Sequence, residues 1–291
     1  MRHVYECPLR WADLDLLGHV NNVIYVDYLQ EARIDMLLTH APDPRMGDLA
    51  EGVVVVRHDV QFVAPLTLRA EPVRIDVWVT EIRAATFTMA YEVYDEDDSG
   101  GRTVYLRATT VLTPYVFDAE RPRRLTPAEK DALRPFLEDP DPQLAPAPVG
   151  PARRSDIGHY PLHVRFSDVD AYGHVNNVKY FEYFQEARIV HMTRIWADAP
   201  AGTPEVPLVV AQVSVDYRVP ILFRTEPYDV WSWVASIGRS SFVVESEIRD
   251  GDTVLSRARV VMVTFDPSTQ RAAPAPEIYR ELLVANLPDQ E

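Results

Sequence analysis

The chain is short of several things at once. It holds one cysteine, Cys7, in 291 residues. No internal disulfide and no multi-cysteine metal site can form, and a reducing cytoplasm is the expected setting. No apolar run reaches 18 residues, so no transmembrane helix and no membrane insertion are expected. The opening Met1-Arg-His-Val-Tyr-Glu-Cys-Pro lacks the apolar core of a secretory signal. Positive charge is scarce: 29 Lys and Arg stand against 44 Asp and Glu, a net of −15. That balance argues against nucleic acid as a partner, which needs a basic face, but leaves room for an anion held at a local patch. Neither standard glycine-rich phosphate loop occurs, nor a G-x-S-x-G elbow. Histidines within each half are not at zinc-ligand spacing, so no metal is expected, and nothing asks for a cofactor.

What is there is a chain that contains itself twice. Residues 10–34 read RWADLDLLGHVNNVIYVDYLQEARI, and residues 165–189 read RFSDVDAYGHVNNVKYFEYFQEARI, with 16 identities in 25 positions at an offset of 155. The register continues: Val60, Phe62 and Pro65 match Val215, Tyr217 and Pro220, Trp78 matches Trp233, and Phe87 matches Phe242. A longer hairpin near 95–101 in the first copy then shifts the offset to 150, where Arg107-Ala108 matches Arg257-Ala258. The repeat predicts two copies of one fold, at 1–117 and 159–291, joined by a linker over 118–158. Thr126, Pro127 and Glu129 spell an N-cap, a first helical residue and a capping box for a short linker helix. The proline-rich stretch 139–151 reads as a semi-rigid spacer. Residues 276–283 read as a short C-terminal helix, the counterpart of the one in the linker.

Each copy reads as strand, helix, then four strands. Asn21–Leu38 and Asn176–Ile195 hold no Gly or Pro and are apolar around most of the circumference, which predicts a buried helix. Segments such as Val73–Ile82, Val104–Val116, Tyr228–Ile237 and Val254–Phe265 are rich in Val, Thr and aromatics and predict strands. One long helix against an antiparallel sheet is an α+β architecture.

The repeated segment sets polar residues where a buried helix begins. Asp13, Asp15, Gly18, His19, Asn21 and Asn22 precede it in the first copy, and Asp168, Asp170, Gly173, His174, Asn176 and Asn177 in the second. A helix start offers unpaired N–H groups and partial positive charge, a place for an anion or for a carbonyl oxygen becoming an oxyanion. A carboxylate just before it can serve as base or nucleophile. Asn and Asp here also read as plain helix caps and Gly as a turn residue. Yet a cap accepts Ser, Thr, Asp or Asn interchangeably, while the two copies keep these polar residues and let apolar ones drift, Leu17 to Tyr172 and Leu29 to Phe184 among them. Glu31 and Glu186 fall within the helix, where the sequence allows either a buried ion pair with Arg33 or Arg188 or a polar group in an acyl channel. Tyr25, Tyr28, Tyr180 and Tyr183 read as core.

The run D-x-D-x-x-G-H-V-N-N-x-x-Y at 13–25 and 168–180, followed by Q-E-A-R at 30–33 and 185–188, resembles that of the hotdog-fold acyl thioesterases of the 4-hydroxybenzoyl-CoA type. Plant-type acyl carrier protein thioesterases also join two hotdogs in one chain. The resemblance implies a long helix wrapped by an antiparallel sheet in each copy, with the two copies forming a pseudo-dimer whose sites lie at their interface. It implies that Asp15 and Asp170 act as general base or nucleophile, with His19 and His174 beside them. Asp13, Asp168, Asn22, Asn177, Glu31 and Glu186 follow as supporting groups. Backbone N–H groups near Val20, Val23, Val175 and Val178 follow as oxyanion donors. The Asn of the plant-type arrangement is replaced here by Leu17 and Tyr172. The implied activity is hydrolysis of fatty acyl-CoA or acyl carrier protein thioesters, by a homo-oligomer of the covalent pair. A non-catalytic acyl-thioester-binding module and an enoyl-thioester hydratase are the competing functions.

Overall fold

Alternating β-branched and aromatic residues favour extended backbone because their side chains fit a pleated, half-buried surface. A computed structural model describes residues 1–40, 49, 52–140, 149–203, 207–266, 268–269 and 271–287. The chain divides into two compact units, Met1–Pro146 and Ala147–Glu291, each holding one copy of the repeat.

In the first unit the strands are β1 (His3–Cys7), β2 (Val53–Phe62), β3 (Val73–Ile82), β4 (Phe87–Glu96) and β5 (Arg102–Val116). They pair antiparallel in the order β1-β3-β4-β5-β2. A two-residue strand β6 (Arg121–Pro122) adds to the end of β5. The second unit repeats this with β7 (His159–Leu162), β8 (Leu208–Tyr217), β9 (Tyr228–Ile237), β10 (Ser241–Asp250) and β11 (Thr253–Asp266), ordered β7-β9-β10-β11-β8. There β12 (Arg271–Ala272) adds to the end of β11. The strands expected at Val73–Ile82 and Tyr228–Ile237 coincide with β3 and β9. The first strand of each copy is shorter than its sequence suggests. The alternating pattern runs over Val4–Trp11 and Tyr160–Phe166, but the strand ends at Cys7 and Leu162. The chain then turns into one turn of 3-10 helix, Trp11–Asp13 and Phe166–Asp168.

The long helices are α1 (Ile24–His40) and α3 (Lys179–Trp196). Helix α1 lies against β1 and β3, and α3 against β7 and β9. Leu29, Ala32 and Met36 of α1 meet a sheet face in which Ile75, Val77, Met89, Tyr91 and Leu106 are fully buried. Truncating a side chain such as Leu29 to Ala in so closed a core costs about 2–5 kcal/mol. Both helices keep one outward stripe, with Glu31 and Leu38 exposed on α1 and Glu186 and Ile189 on α3.

Each sheet is interrupted three times, at matching places. Val56, Thr80 and Tyr105 are extra residues in β2, β3 and β5, skipped by the pairing of their neighbours. Ala211, Ala235 and Leu255 are skipped in β8, β9 and β11. Such bulges bend a strand and increase its twist. The third also ends a strand. Tyr105 C=O accepts from Val63 and Ala64 N–H at 2.8 and 3.3 Å, and Leu255 C=O from Arg218 and Val219 at 2.9 and 3.1 Å.

The short helix α2 (Pro127–Leu133) starts as its sequence spells. The Thr126 hydroxyl accepts from Glu129 N–H at 3.2 Å, and Glu129 Oε2 accepts from Thr126 N–H at 2.7 Å. Its end docks on the first sheet, where Glu138 N–H meets Val79 C=O at 2.9 Å. Of the proline-rich stretch 139–151, residues 141–148 lie outside the described residues. Beyond it, Gly150 N–H donates to the Glu245 carboxylate at 3.0 Å and Arg154 pairs with Glu247 at 3.5 Å, within the second unit. Helix α4 (Glu277–Ala285) closes that unit against α3 and β9.

Candidate functional site

The two aspartates of each D-x-D pair have opposite surroundings. Asp13 is buried and surrounded by donors. Its carboxylate accepts from Arg10 Nε at 3.0 Å and from Arg10 N–H at 3.0 Å, pairs with Arg10 Nη2 at 2.8 Å, and takes the Tyr28 hydroxyl. Burial alone would raise its pKa. The Arg10 guanidinium, the Tyr28 hydroxyl and the backbone N–H outweigh burial and hold it below the usual carboxylate range. Asp168 repeats the latch, accepting from Arg165 N–H at 2.9 Å and from the Tyr183 hydroxyl at 2.6 Å. Since Tyr28 and Tyr183 are the fifth residues of α1 and α3, each latch ties the 3-10 turn to the N-terminal part of its helix. Both oxygens of Asp13 are bonded, and Asp168 is buried with its Oδ2 bonded twice, so both aspartates hold the turn to the helix.

Asp15 and Asp170 are half-buried and open a tight reversal. Asp15 N–H donates to His19 C=O at 2.8 Å, Gly18 N–H to Asp15 C=O at 3.1 Å, and Leu14 faces Val20 across a one-residue bridge. Asp15 Oδ1 accepts from Leu17 and His19 N–H at 2.8 and 3.1 Å. Asp170 Oδ1 accepts from Tyr172 N–H at 2.9 Å, and the same backbone bonds recur at 2.9 and 3.1 Å. The glycine is required: φ is +76° at Gly18 and +80° at Gly173, in the left-handed region that side chains disfavour. The loop thus uses one carboxylate oxygen of each aspartate. For the other, Oδ2, the structure gives no partner among the described residues, so its lone pairs are free to take a proton or attack carbon.

The return strand of the reversal docks on the loop after β2 or β8. Val20 N–H reaches Leu66 C=O and Val175 N–H reaches Ile221 C=O, both at 2.8 Å. His19 bridges to Thr67 and His174 to Leu222. The chain then enters the helix through Asn21 and Asn176, whose backbone N–H groups meet Asp13 and Asp168 C=O at 2.8 Å. Asn21 Oδ1 accepts from Val23 N–H, and Asn176 Oδ1 from Val178 N–H, each at 3.3 Å. This turn starts α1 and α3 three residues later than their sequence suggests. It also redistributes the expected oxyanion donors. Val20 and Val175 spend their N–H groups on carbonyls, and Val23 and Val178 hold long bonds to a cap. Asn22 N–H has no acceptor among the described residues and stands at the head of the helix.

Glu31 and Glu186 depart from both of their expected roles. They are exposed, because they lie on the outward stripe of each helix while the neighbours two residues on, Arg33 and Arg188, turn inward and are buried. The four tyrosines are buried as expected, but each also carries a polar task that periodicity does not reveal. Tyr28 and Tyr183 close the aspartate latches. Tyr180 Oη accepts from Ile221 N–H at 3.0 Å, and Tyr25 meets Leu66 N–H, so each secures the loop on which the site's return strand rests. Their identity in both copies was the available signal. One difference stands out: Tyr217 donates to Asn177 C=O at 2.9 Å, whereas the first copy has Phe62 at that position, ring to ring with Tyr25.

Most of the cations that the sequence offers as anion partners are already paired. Arg57 bonds Asp59 at 2.7 Å, Arg107 bonds Glu92 at 3.0 Å, Lys179 bonds Glu182 at 2.6 Å and Arg257 bonds Glu247 at 3.0 Å. Arg218, exposed just past β8, has no ion pair among the described residues. No group of three or more His, Cys, Asp or Glu among the described residues is placed to hold a metal ion. None of the described helices is long and apolar enough to cross a membrane.

Comparison with known proteins bears on this arrangement. A 12:0-ACP thioesterase from Umbellularia californica superposes with a TM-score of 0.67 over 91% of this chain and 94% of its own, at 17% identity. A protein provisionally named an oleoyl thioesterase from Lactobacillus plantarum gives 0.69 over 91% and 96%, also at 17% identity. At such identities the likeness concerns the fold, which is the hotdog fold. An uncharacterized protein of Bacillus subtilis, YsmA, is 29% identical over 126 residues, covering 42% of this chain and 81% of its own. The family model of the thioesterase-like superfamily matches residues 9–136 and again 164–283, so both units carry it. The chain belongs to the thioesterase-like superfamily.

Proposed function

We propose that this protein hydrolyses fatty acyl thioesters of coenzyme A or of acyl carrier protein, with Asp15 and Asp170 as the reactive carboxylates. One observation carries the assignment: in both copies the loop fastens Oδ1 and leaves Oδ2 unbonded, at the head of the central helix. With the thioester carbonyl oxygen at the helix start of the first copy, Asn22 N–H faces the charge that develops in the tetrahedral intermediate. The free carboxylate oxygen takes a proton from water as the water oxygen bonds to the carbonyl carbon, or bonds to that carbon itself. On the base route, collapse of the intermediate breaks the C–S bond and the expelled thiolate takes the proton from the aspartic acid. On the nucleophile route the thiolate leaves an acyl-aspartyl anhydride, which water cleaves to free acid and carboxylate, the released proton going to the thiolate. His19 and His174 close the same reversal and orient the loop. Support for the reaction class comes from family membership. Support for two working sites comes from the retention of every polar motif residue in both copies.

In the same reading the two units pair as a covalent counterpart of a hotdog dimer, acting in the cytoplasm and assembling further into homo-oligomers. The test is thiol release from acyl-CoA and acyl carrier protein thioesters by Asp15→Asn, Asp170→Asn and the double variant. Asparagine keeps the Oδ1 acceptor, so the loop survives and only the chemistry is removed. Each single variant should retain part of the activity, and the double should lose about 10²–10⁴-fold, the usual contribution of a positioned base. Full activity in the double variant rules the mechanism out, and loss of all activity in one single variant rules out two working sites.

A further inference from the structure

Arg33 and Arg188 occupy the same position on the central helices of the two units, and neither has a counter-ion among the described residues. They are 4% and 6% exposed. Among the described residues no carboxylate lies within ion-pair distance of either, no hydrogen bond reaches either guanidinium, and neither stacks over an aromatic ring. Arg33 Nε and Nη1 are buried without a partner, and so is the Tyr91 hydroxyl beside them. Tyr91 lies next to Arg33 and Thr110 without reaching hydrogen-bond geometry with either. Thr110 Oγ1 bonds His58 Nδ1 at 2.8 Å. Burial with nothing to offset it pulls Arg188 down to about 10.

An unpaired buried guanidinium is costly and cannot shed its proton at neutral pH. In a chain with 44 carboxylate residues, a purely structural arginine would be expected to keep one as partner. The surroundings differ between the copies. By strand register, the second copy has Ser246, Val260 and Val213 where the first has Tyr91, Thr110 and His58, so the polar lining belongs to the first unit. Arg33 lies nine residues beyond Ile24, about 14 Å down the helix from the proposed oxyanion site at 1.5 Å per residue. It is therefore remote from the reacting carbonyl, at the depth an extended acyl chain reaches.

We propose that Arg33, with the Tyr91 hydroxyl, is a subsite for a carboxylate at the far end of the acyl group, so that the first unit favours α,ω-dicarboxylic acyl thioesters over plain fatty ones. The inference rests on the hydrolase reading for its substrate, but not for its test. A guanidinium fork matches a carboxylate in shape and charge, and such a partner would satisfy the unbonded Arg33 Nε and Nη1 and the Tyr91 hydroxyl.

The experiment is calorimetric titration of the full chain with free straight-chain monocarboxylates and α,ω-dicarboxylates of equal length, over a series of lengths. Wild type should bind the dicarboxylate at least about tenfold more tightly at one length. Arg33→Met should abolish that preference, Tyr91→Phe should reduce it, and Arg188→Met should leave it standing. Arg33→Met should also raise Tm in the absence of ligand, because it removes an unpaired buried charge, whereas loss of a structural arginine would lower Tm. Equal binding of the two acids by wild type overturns the proposal, as does a preference that survives Arg33→Met or disappears with Arg188→Met. Stabilisation by chloride or acetate without a dicarboxylate preference reduces the site to a bound inorganic anion and overturns it too. Thiol release then separates the two readings. Arg33-dependent dicarboxylate binding with no thiol released from any thioester removes the hydrolase and keeps the subsite. Hydrolysis of plain acyl thioesters with no dicarboxylate preference does the reverse.

Discussion

The latch between Tyr28 and Asp13 is the most informative structural element to break. Tyr28→Phe removes one buried donor to a charged acceptor. Such bonds contribute about 1.5–3 kcal/mol. The Arg10 side chain makes more contacts to the same carboxylate but is 65% exposed, so solvent screens it and its pairing is worth about 0–1 kcal/mol. Tyr28→Phe should therefore cost about 2 kcal/mol and Arg10→Ala less than half of that. The duplication supplies an internal control within one molecule. Hydrogen exchange followed by mass spectrometry should show amides of residues 10–28 exchanging about 30-fold faster in Tyr28→Phe, the factor equivalent to that cost for local opening. Residues 165–183, held by Tyr183 and Asp168, should stay at their wild-type rates. Tyr183→Phe should give the mirror image. If Arg10→Ala loosens the segment as much as Tyr28→Phe does, the ranking of buried hydroxyl over exposed guanidinium is wrong. If neither does, the latch does not hold the turn.

Other expectations follow from the same geometry. Asp13 is depressed in the folded state, so its contribution is fully present above the unfolded carboxylate pKa and is lost as pH falls through the lower folded value. Acid titration should thus release the 10–28 segment only below about pH 4, and Asp13→Asn should remove that dependence. Gly18→Ala and Gly173→Ala meet no atom within 4 Å, so any loss is backbone strain, about 1–2 kcal/mol each by thermal denaturation. A neutral effect at both would show that the left-handed turn is not required. Thr126→Ala breaks the capping box of α2 and should cost about 1 kcal/mol in chemical denaturation. Gly158→Ala should be far worse, since its Cβ would sit 1.9 Å from Ser232 C=O.

The strands were legible because β-branched and aromatic runs have few alternatives, and β3 and β9 match their sequence segments end to end. The capping box of α2 was legible because it is a contact between residues three apart. The polar motif announced itself by surviving duplication. Helix phase was hidden. With apolar residues on most of its circumference, α1 carries little sequence information about which side meets the sheet, and so the sequence does not reveal that Arg33 turns inward while Glu31 faces out. The division of labour within D-x-D was hidden from spacing as well. It depends on Arg10 and on Tyr28, fifteen positions along the chain from Asp13, and only folding brings them together. Which backbone N–H groups remain unspent was equally unreadable, because Leu66 and Ile221 reach the motif from another loop.

The three extra residues in each sheet have an evolutionary corollary. Since Val56, Thr80 and Tyr105 recur as Ala211, Ala235 and Leu255, the curl has outlived the side chains that stand on it. A shape stored as a count of peptide units does not depend on which residues face the interior. The lining of one half was therefore at liberty to acquire His58, Tyr91 and Thr110 while the other kept Val213, Ser246 and Val260. Diversification after the duplication could act on what each half accommodates without renegotiating how either half is rolled.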